Sequence, residues 1–297
     1  MAMNILTILQ NEYMRDFILA RAKTYGKYTG LPSEWIPTII EILTNMSYDS
    51  ELAIKAVQKE FPQLINTSSE YHEKLRKYRI RKVEQIAERI NPFLKNGTVL
   101  DFGGQTTDLL EALINKNERI SQGFVNGINK DEIIQNESEK IAFTEQISLS
   151  ETTLGTKSVD TIIVSLVLHH MNVQEREKLI NHFTKILKKK GILILIEDTF
   201  SETRVQRECD SITDMFLNKF SFEEKMQLLS FLDWQGNRLT RPHPSVPLHY
   251  TFKSIEGWCQ LFKTFGFNLT NEQFFCNVDE DSIDLIPPKA FMVFRLN

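Results

Sequence analysis

The chain has 297 residues, 41% hydrophobic and 25% charged, enough for one large packed domain with an appended segment. Its formal net charge of −4 gives no chain-wide attraction for phosphate backbones, so nucleic-acid binding would need a local basic patch. No apolar run reaches the ~18 residues a membrane span requires, and Cys209, Cys259 and Cys276 form neither a disulfide framework nor a zinc spacing. The expectation is a cytoplasmic protein without metal or membrane association.

In chain order, residues 1–91 carry helical rhythm throughout. Leu6, Leu9, Tyr13, Phe17 and Ala20 recur at steps of three and four, residues 36–46 and 52–61 repeat the pattern, and Pro32, Pro37 and Pro62 punctuate it. The opening stretch is interrupted by Asn11, Glu12, Arg15 and Asp16 and reads as an amphipathic helix rather than a signal peptide. A basic run in residues 74–82 gathers Lys74, Arg76, Lys77, Arg79, Arg81 and Lys82 near Tyr71 and Tyr78. It reads either as an RNA-binding strip or as a solvated linking helix packed through Val83, Ile86, Ala87 and Ile90; the linker is preferred, because helical spacing spreads the charges.

From Thr98 onward short strands alternate with helices, as in a parallel sheet covered on both faces. Strands are expected at residues 98–102, 124–128 and 141–143, and most strongly at 160–168, DTIIVSLVL, whose branched apolar run suits a doubly covered strand. A helix capped by Asn172 and Glu175 follows, with Lys188, Lys189 and Lys190 at its carboxyl end and Gly191 as terminator before another buried strand. Residues 201–250 read as an insertion, helical at first and then a loop, DWQGNRLTRPHPSVPLHY. A last helix begins near Ser254, and closing strands are expected at 267–270 and 290–296.

The ordered series TVLDFGG, SVDTIIVSLVLHHM, LKKKGILILIEDTF, YTFKSIEGWCQLFKTFGF and AFMVFRL resembles the class I S-adenosylmethionine-dependent methyltransferase family. That resemblance implies an α/β, Rossmann-like seven-stranded mixed sheet, last strand antiparallel, with helices on both faces. It would fill residues 92–297, with 201–250 inserted, behind an all-helical segment of residues 1–91 serving as lid, substrate or dimerisation element. It also implies S-adenosylmethionine as cofactor. The family pattern Asp-x-Gly-x-Gly-x-Gly is matched by Asp101 and Gly103, with Gly104 between; Gln105 and Thr107 replace the later glycines. The ribose-binding acid falls at Asn129, or at Asp131 in a shifted alignment, the adenine contact at Ser148 or Glu145, and Ser165 at a cofactor-lining position. Thr107 is a candidate cap for the next helix.

Methyl transfer from a sulfonium demands alignment and exclusion of water, and a base only when the acceptor must lose a proton. His169 and His170 stand at the end of the fourth predicted strand; strand alternation puts at most one toward a pocket, and His170 is preferred as catalytic, with His169 a substrate contact. Glu197 and Asp198 end the next strand at the same edge, as groups that orient substrate, Asp198 foremost, or as caps of the following segment. Arg238, Arg241, His243 and Tyr250 are candidate acceptor-binding groups in a stiffened lid. The favoured acceptor is a small molecule methylated on oxygen or nitrogen. The alternatives are an RNA or protein acceptor, or a noncatalytic partner protein on the same scaffold, and homodimerisation stays open.

Overall fold

A computed structural model describes residues 5–46, 50–66, 68–104, 106–126, 139–144, 146–148, 151–203, 211–240, 245–274 and 289–297. The chain divides into two compact units, one from Met1–Arg79 and Ser201–Phe252, the other from Ile80–Phe200, Lys253–Phe275 and Lys289–Asn297. The sequence reading set the break at residue 91 and grouped 201–250 with the sheet; instead the break falls inside a helix, and the insertion joins the N-terminal helices.

That grouping has a packing cause. The first unit holds α1 (Ile5–Gln10), α2 (Glu12–Thr29), α3 (Trp35–Asn45), α4 (Ser50–Glu60), the start of α5 (Glu70–Ile90), α8 (Ser211–Lys219) and α9 (Phe222–Trp234). Phe17 of α2 is fully buried against Phe216 and Phe220, with ring centroids 5.5 and 5.7 Å away. Such side chains each contribute about 2–3 kcal/mol when removed from water, so neither set of helices could expose this face cheaply. Asn11 caps α2 through the Met14 N–H and also donates to Glu224, which belongs to the Ser221–Glu224 capping box of α9. The expected loop after residue 233 begins differently: Gln235–Thr240 continue α9 as a π-helix, with Leu239 and Thr240 buried.

The second unit is a seven-stranded sheet in the order β3-β2-β1-β6-β7-β9-β8. Its strands are β1 (Gly97–Phe102), β2 (Ile120–Asn126), β3 (Ile141–Phe143), β6 (Val159–Ser165), β7 (Leu187–Asp198), β8 (Phe267–Phe274) and β9 (Lys289–Leu296). Only β9, the last in sequence, runs antiparallel to its neighbours β7 and β8, as expected. Helices α6 (Asp108–Lys116), α7 (Val173–Ile186) and α10 (Ile255–Thr264) alternate with the strands. A separate hairpin pairs β4 (Gln146–Ser148) with β5 (Glu151–Thr152). The core follows the branched runs: Ile162 to Val164 and Leu193 to Ile196 are completely buried.

Two details differ from the sequence expectation. The fourth strand stops at Ser165 because Leu166 takes a left-handed φ of 57°, whereas the expected end of the second strand, at residues 127 and 128, lies outside the described residues. The three lysines lie in the strand, not at the helix end: α7 closes at Ile186, and pairing jumps from Val159–Leu187 to Thr161–Ile192, bulging out Lys188 to Gly191. Lys188 meets Asp160 at 2.6 Å, and that carboxylate also accepts from the Thr98 N–H. Gly191 is required by crowding: a Cβ there would lie 2.8 Å from the Leu187 side chain and 2.9 Å from the Asp160 carbonyl oxygen. The Asn172–Glu175 capping box of α7 is present in both directions.

Candidate active site at the carboxyl edge of the sheet

Chain order reverses at β1, whose neighbours are β2 on one side and β6 on the other, the place where open α/β sheets bind ligands beyond their strand ends. Asp101 and Phe102 end β1, and Gly103 turns away with φ +81°, its N–H donating to the Asn126 carbonyl at 2.7 Å. Any side chain on Gly103 would collide with Val167, and a Cβ on Gly104 would stand 2.6 Å from the Asp101 carboxylate. Both glycines therefore keep the turn thin.

The Asp101 side chain is buried, and among the described residues it meets no cation. Burial alone pushes its carboxyl up to about 7. Thr107 precedes α6 without capping it by its side chain; its hydroxyl instead donates to Glu111 at 2.5 Å. Gln105, Asn129, Asp131 and Glu145 lie outside the described residues. Ser148 falls in the β4–β5 hairpin opposite Glu151. Ser165 is half-buried at the end of β6, paired with Ile196.

The sequence reading missed Asn126. It is buried beside the β1 turn, in register with Phe102, and its amide donates to Thr144 at 3.1 Å. The signal was a polar residue inside the expected 124–128 strand, next to the β1 turn.

After β6, Leu168–His170 form one turn of 3-10 helix. This corrects the expectation that the histidines alternate as in a strand: their ring centroids lie 4.0 Å apart. Glu197, fully buried at the end of β7, accepts from the Leu168 N–H at 2.8 Å and from His169 Nδ1 at 2.5 Å. Glu197 is therefore a clamp between two strand ends, neither a cap nor a group facing water. His169 is only 2% exposed, whereas His170 is half-buried. Asp198 is engaged by the buried Lys289 across the β7–β9 pair.

The remaining candidates belong to the first unit. Arg238 spends donors on its own loop, to the Val246 carbonyl at 2.7 Å and the Asn237 carbonyl at 3.3 Å. Tyr250 has φ +51°, and its hydroxyl is pushed up to about 12, first by burial and then by the Asp233 charge. Arg241 and His243 lie outside the described residues. In the basic run, Lys74 and Lys77 pair with Glu70 and Glu73 one turn earlier on α5, at 2.7 and 2.9 Å.

An open sheet with a glycine turn, a buried acid and a clamped histidine at its switch point places the chain among the α/β folds that bind ligands beyond their strand ends. A family model described as a methyltransferase domain matches residues 71–272, more than half of the chain, and the chain belongs to that family. No curated protein sequence matches it.

Among solved structures, the putative methyltransferase of Haloferax volcanii, solved in complex with the Trm112 methyltransferase activator, is 14% identical with a TM-score of 0.52, covering 78% of this chain and 96% of its own. A putative O-methyltransferase of Nostoc punctiforme is 13% identical, TM-score 0.50, over 80% of this chain and 69% of its own. The pyocyanin biosynthetic protein PhzM is 12% identical, TM-score 0.51, over 99% and 72%. These likenesses concern the fold. The protein is an S-adenosylmethionine-dependent methyltransferase.

The residues at the switch point fit that cofactor: the turn is bare of side chains at Gly103 and Gly104, and a buried carboxyl without a cation faces the second of them. Asp101, Gly103 and Gly104 are the residues that would hold it. Among the described residues no helix is long and apolar enough to cross a membrane.

Proposed function

We propose that this methyltransferase modifies an oxygen or nitrogen of a small-molecule acceptor, and that His169, oriented by Glu197, takes the acceptor's proton. The observation that carries this reading is the 2.5 Å bond between His169 Nδ1 and a fully buried carboxylate. It fixes the tautomer with the proton on Nδ1 and leaves Nε2 as the basic nitrogen. This reverses the roles suggested by the sequence; His170, packed on the His169 ring, becomes the flanking contact.

When bound, S-adenosylmethionine supplies an electrophilic methyl group on a sulfonium. The chain's own tasks are to hold the acceptor in line, keep water out and remove a proton. The rival reading, an RNA acceptor held by the basic run, loses support because Lys74 and Lys77 are already paired along α5.

The test is to incubate the protein with methyl-labelled S-adenosylmethionine and a cell extract, then separate small molecules from macromolecules. Label should appear in the small-molecule fraction and fall about 100-fold with His169→Gln. Label confined to RNA or protein overturns the acceptor class, and an undiminished rate in His169→Gln overturns the base.

A further inference from the structure

Between the end of β6 and the histidine turn, Leu166 holds its left-handed φ of 57°. Leucine adopts that backbone at a cost, and only the contacts around it can keep it there. Two bonds to the end of β7 do so: the Leu166 N–H donates to the Ile196 carbonyl at 2.8 Å, and the Leu168 N–H to the Glu197 carboxylate at 2.8 Å.

Val167 is fastened between those two amides and serves both neighbouring turns. Its side chain covers Gly103, where an added carbon would overlap Cγ2 of Val167 and lie 3.3 Å from Cγ1. Its carbonyl accepts the His170 N–H at 3.0 Å, closing the Leu168–His170 turn. The His170 ring lies 4.0 Å from the His169 ring between centroids, and His169 Nδ1 is held 2.5 Å from Glu197. One residue thus touches the glycine turn with its side chain and fixes the base turn with its backbone.

The parts are stiff where a linkage needs them to be. Valine is branched at Cβ and restricted about χ1, so an easy change of rotamer cannot absorb a displacement of Gly103. The pinned amides of Leu166 and Leu168 keep Val167 from sliding past β7. A short hydrogen bond between histidine and carboxylate is steep in distance, so a shift of the turn by a few tenths of an ångström alters it.

We propose that Val167 is a positioning residue that transmits occupancy of the glycine turn to His169. The coupling rests on His169 as the base, and it makes a filled cofactor turn the condition for the final placement of that base.

The probe is S-adenosylhomocysteine, titrated into the full chain labelled with ¹⁵N-histidine. The Nδ1–H of His169, buried and bonded to Glu197, gives the ¹H–¹⁵N resonance to follow, assigned with His169→Gln. In the wild type it should shift saturably with the ligand. In Val167→Ala the shift should fall by roughly threefold or more, while calorimetry finds ligand affinity within about threefold of wild type, which also reports folding. Val167→Thr keeps the branch and should restore the shift. A ligand acting on the histidine directly would move the resonance alike in all three.

An unmoved resonance in the saturated wild type, an equal shift in Val167→Ala, or a Val167→Thr protein that behaves as Val167→Ala overturns the coupling. Loss of S-adenosylhomocysteine binding in Val167→Ala overturns it as well, because Val167 would then belong to the cofactor site itself. The base stands or falls separately on the rate of His169→Gln, so the two failures are distinguishable.

Discussion

Replacing Asp101 by Asn should stabilise the protein, and by an amount that depends on pH in a defined direction. Burial raises the Asp101 carboxyl from the ordinary 3.8 to about 7 in the folded chain. A raised folded value means the native state holds a proton that the unfolded state has released. The associated stability is complete below about pH 4 and is lost as pH climbs toward about 7. A tenfold change in proton affinity is worth about 1.4 kcal/mol, so the loss approaches roughly 4 kcal/mol at slightly alkaline pH.

Asn has nearly the same shape and no charge to desolvate. The difference in unfolding free energy, Asp101→Asn minus wild type, should be near zero at pH 4 and grow to a few kcal/mol in favour of the variant by pH 8. Denaturant titrations at pH 4, 5, 6, 7 and 8 measure it. A flat difference across that range, or a variant less stable at pH 8, refutes the view that the carboxyl is uncompensated. The variant should also lose cofactor affinity, the usual trade of stability for a charged group held ready at a site.

Gly103→Ala should cost about 1–3 kcal/mol of stability and abolish S-adenosylhomocysteine binding, because φ is +81° and the added carbon meets Val167; calorimetry and denaturation together report both effects. Glu197→Gln should lower kcat about 100-fold with little change in KM, since the amide can no longer hold His169 Nδ1 in the same tautomer; a preserved kcat counts against His169 as base. Asn172→Ala, which removes the α7 cap, should destabilise by about 1 kcal/mol without altering cofactor affinity. Lys188→Met should change stability by no more than about 1 kcal/mol, because its partner Asp160 also serves the Thr98 N–H and the pair is partly exposed.

The sheet was legible because branched apolar runs such as Ile162–Val164 have one stable fate, a strand covered on both faces. The order of strands and the antiparallel last strand came with the family resemblance. What escaped depended on distant partners. Nothing local in Lys188 to Gly191 distinguishes a helix end from a bulge; Asp160, far away in sequence, decides it.

The histidine pair reads as strand by alternation, yet the left-handed Leu166 breaks the strand first. Residues 235–240 carry turn chemistry in Gly236 and Asn237, but continue as helix with Leu239 buried in the first unit. At the site, Asp101 and the glycines were visible by motif. Glu197 as a clamp and Asn126 as the partner of Thr144 were not, because each is defined by what stands across the fold from it.

The most direct measurement is calorimetric titration of the wild-type full chain with S-adenosylhomocysteine near neutral pH. One molecule should bind per chain, with a proton released if the Asp101 carboxyl ionises against the ligand's α-ammonium group. No binding at millimolar ligand in a folded sample would remove the cofactor from the β1 turn, and with it the enzymatic reading of this edge.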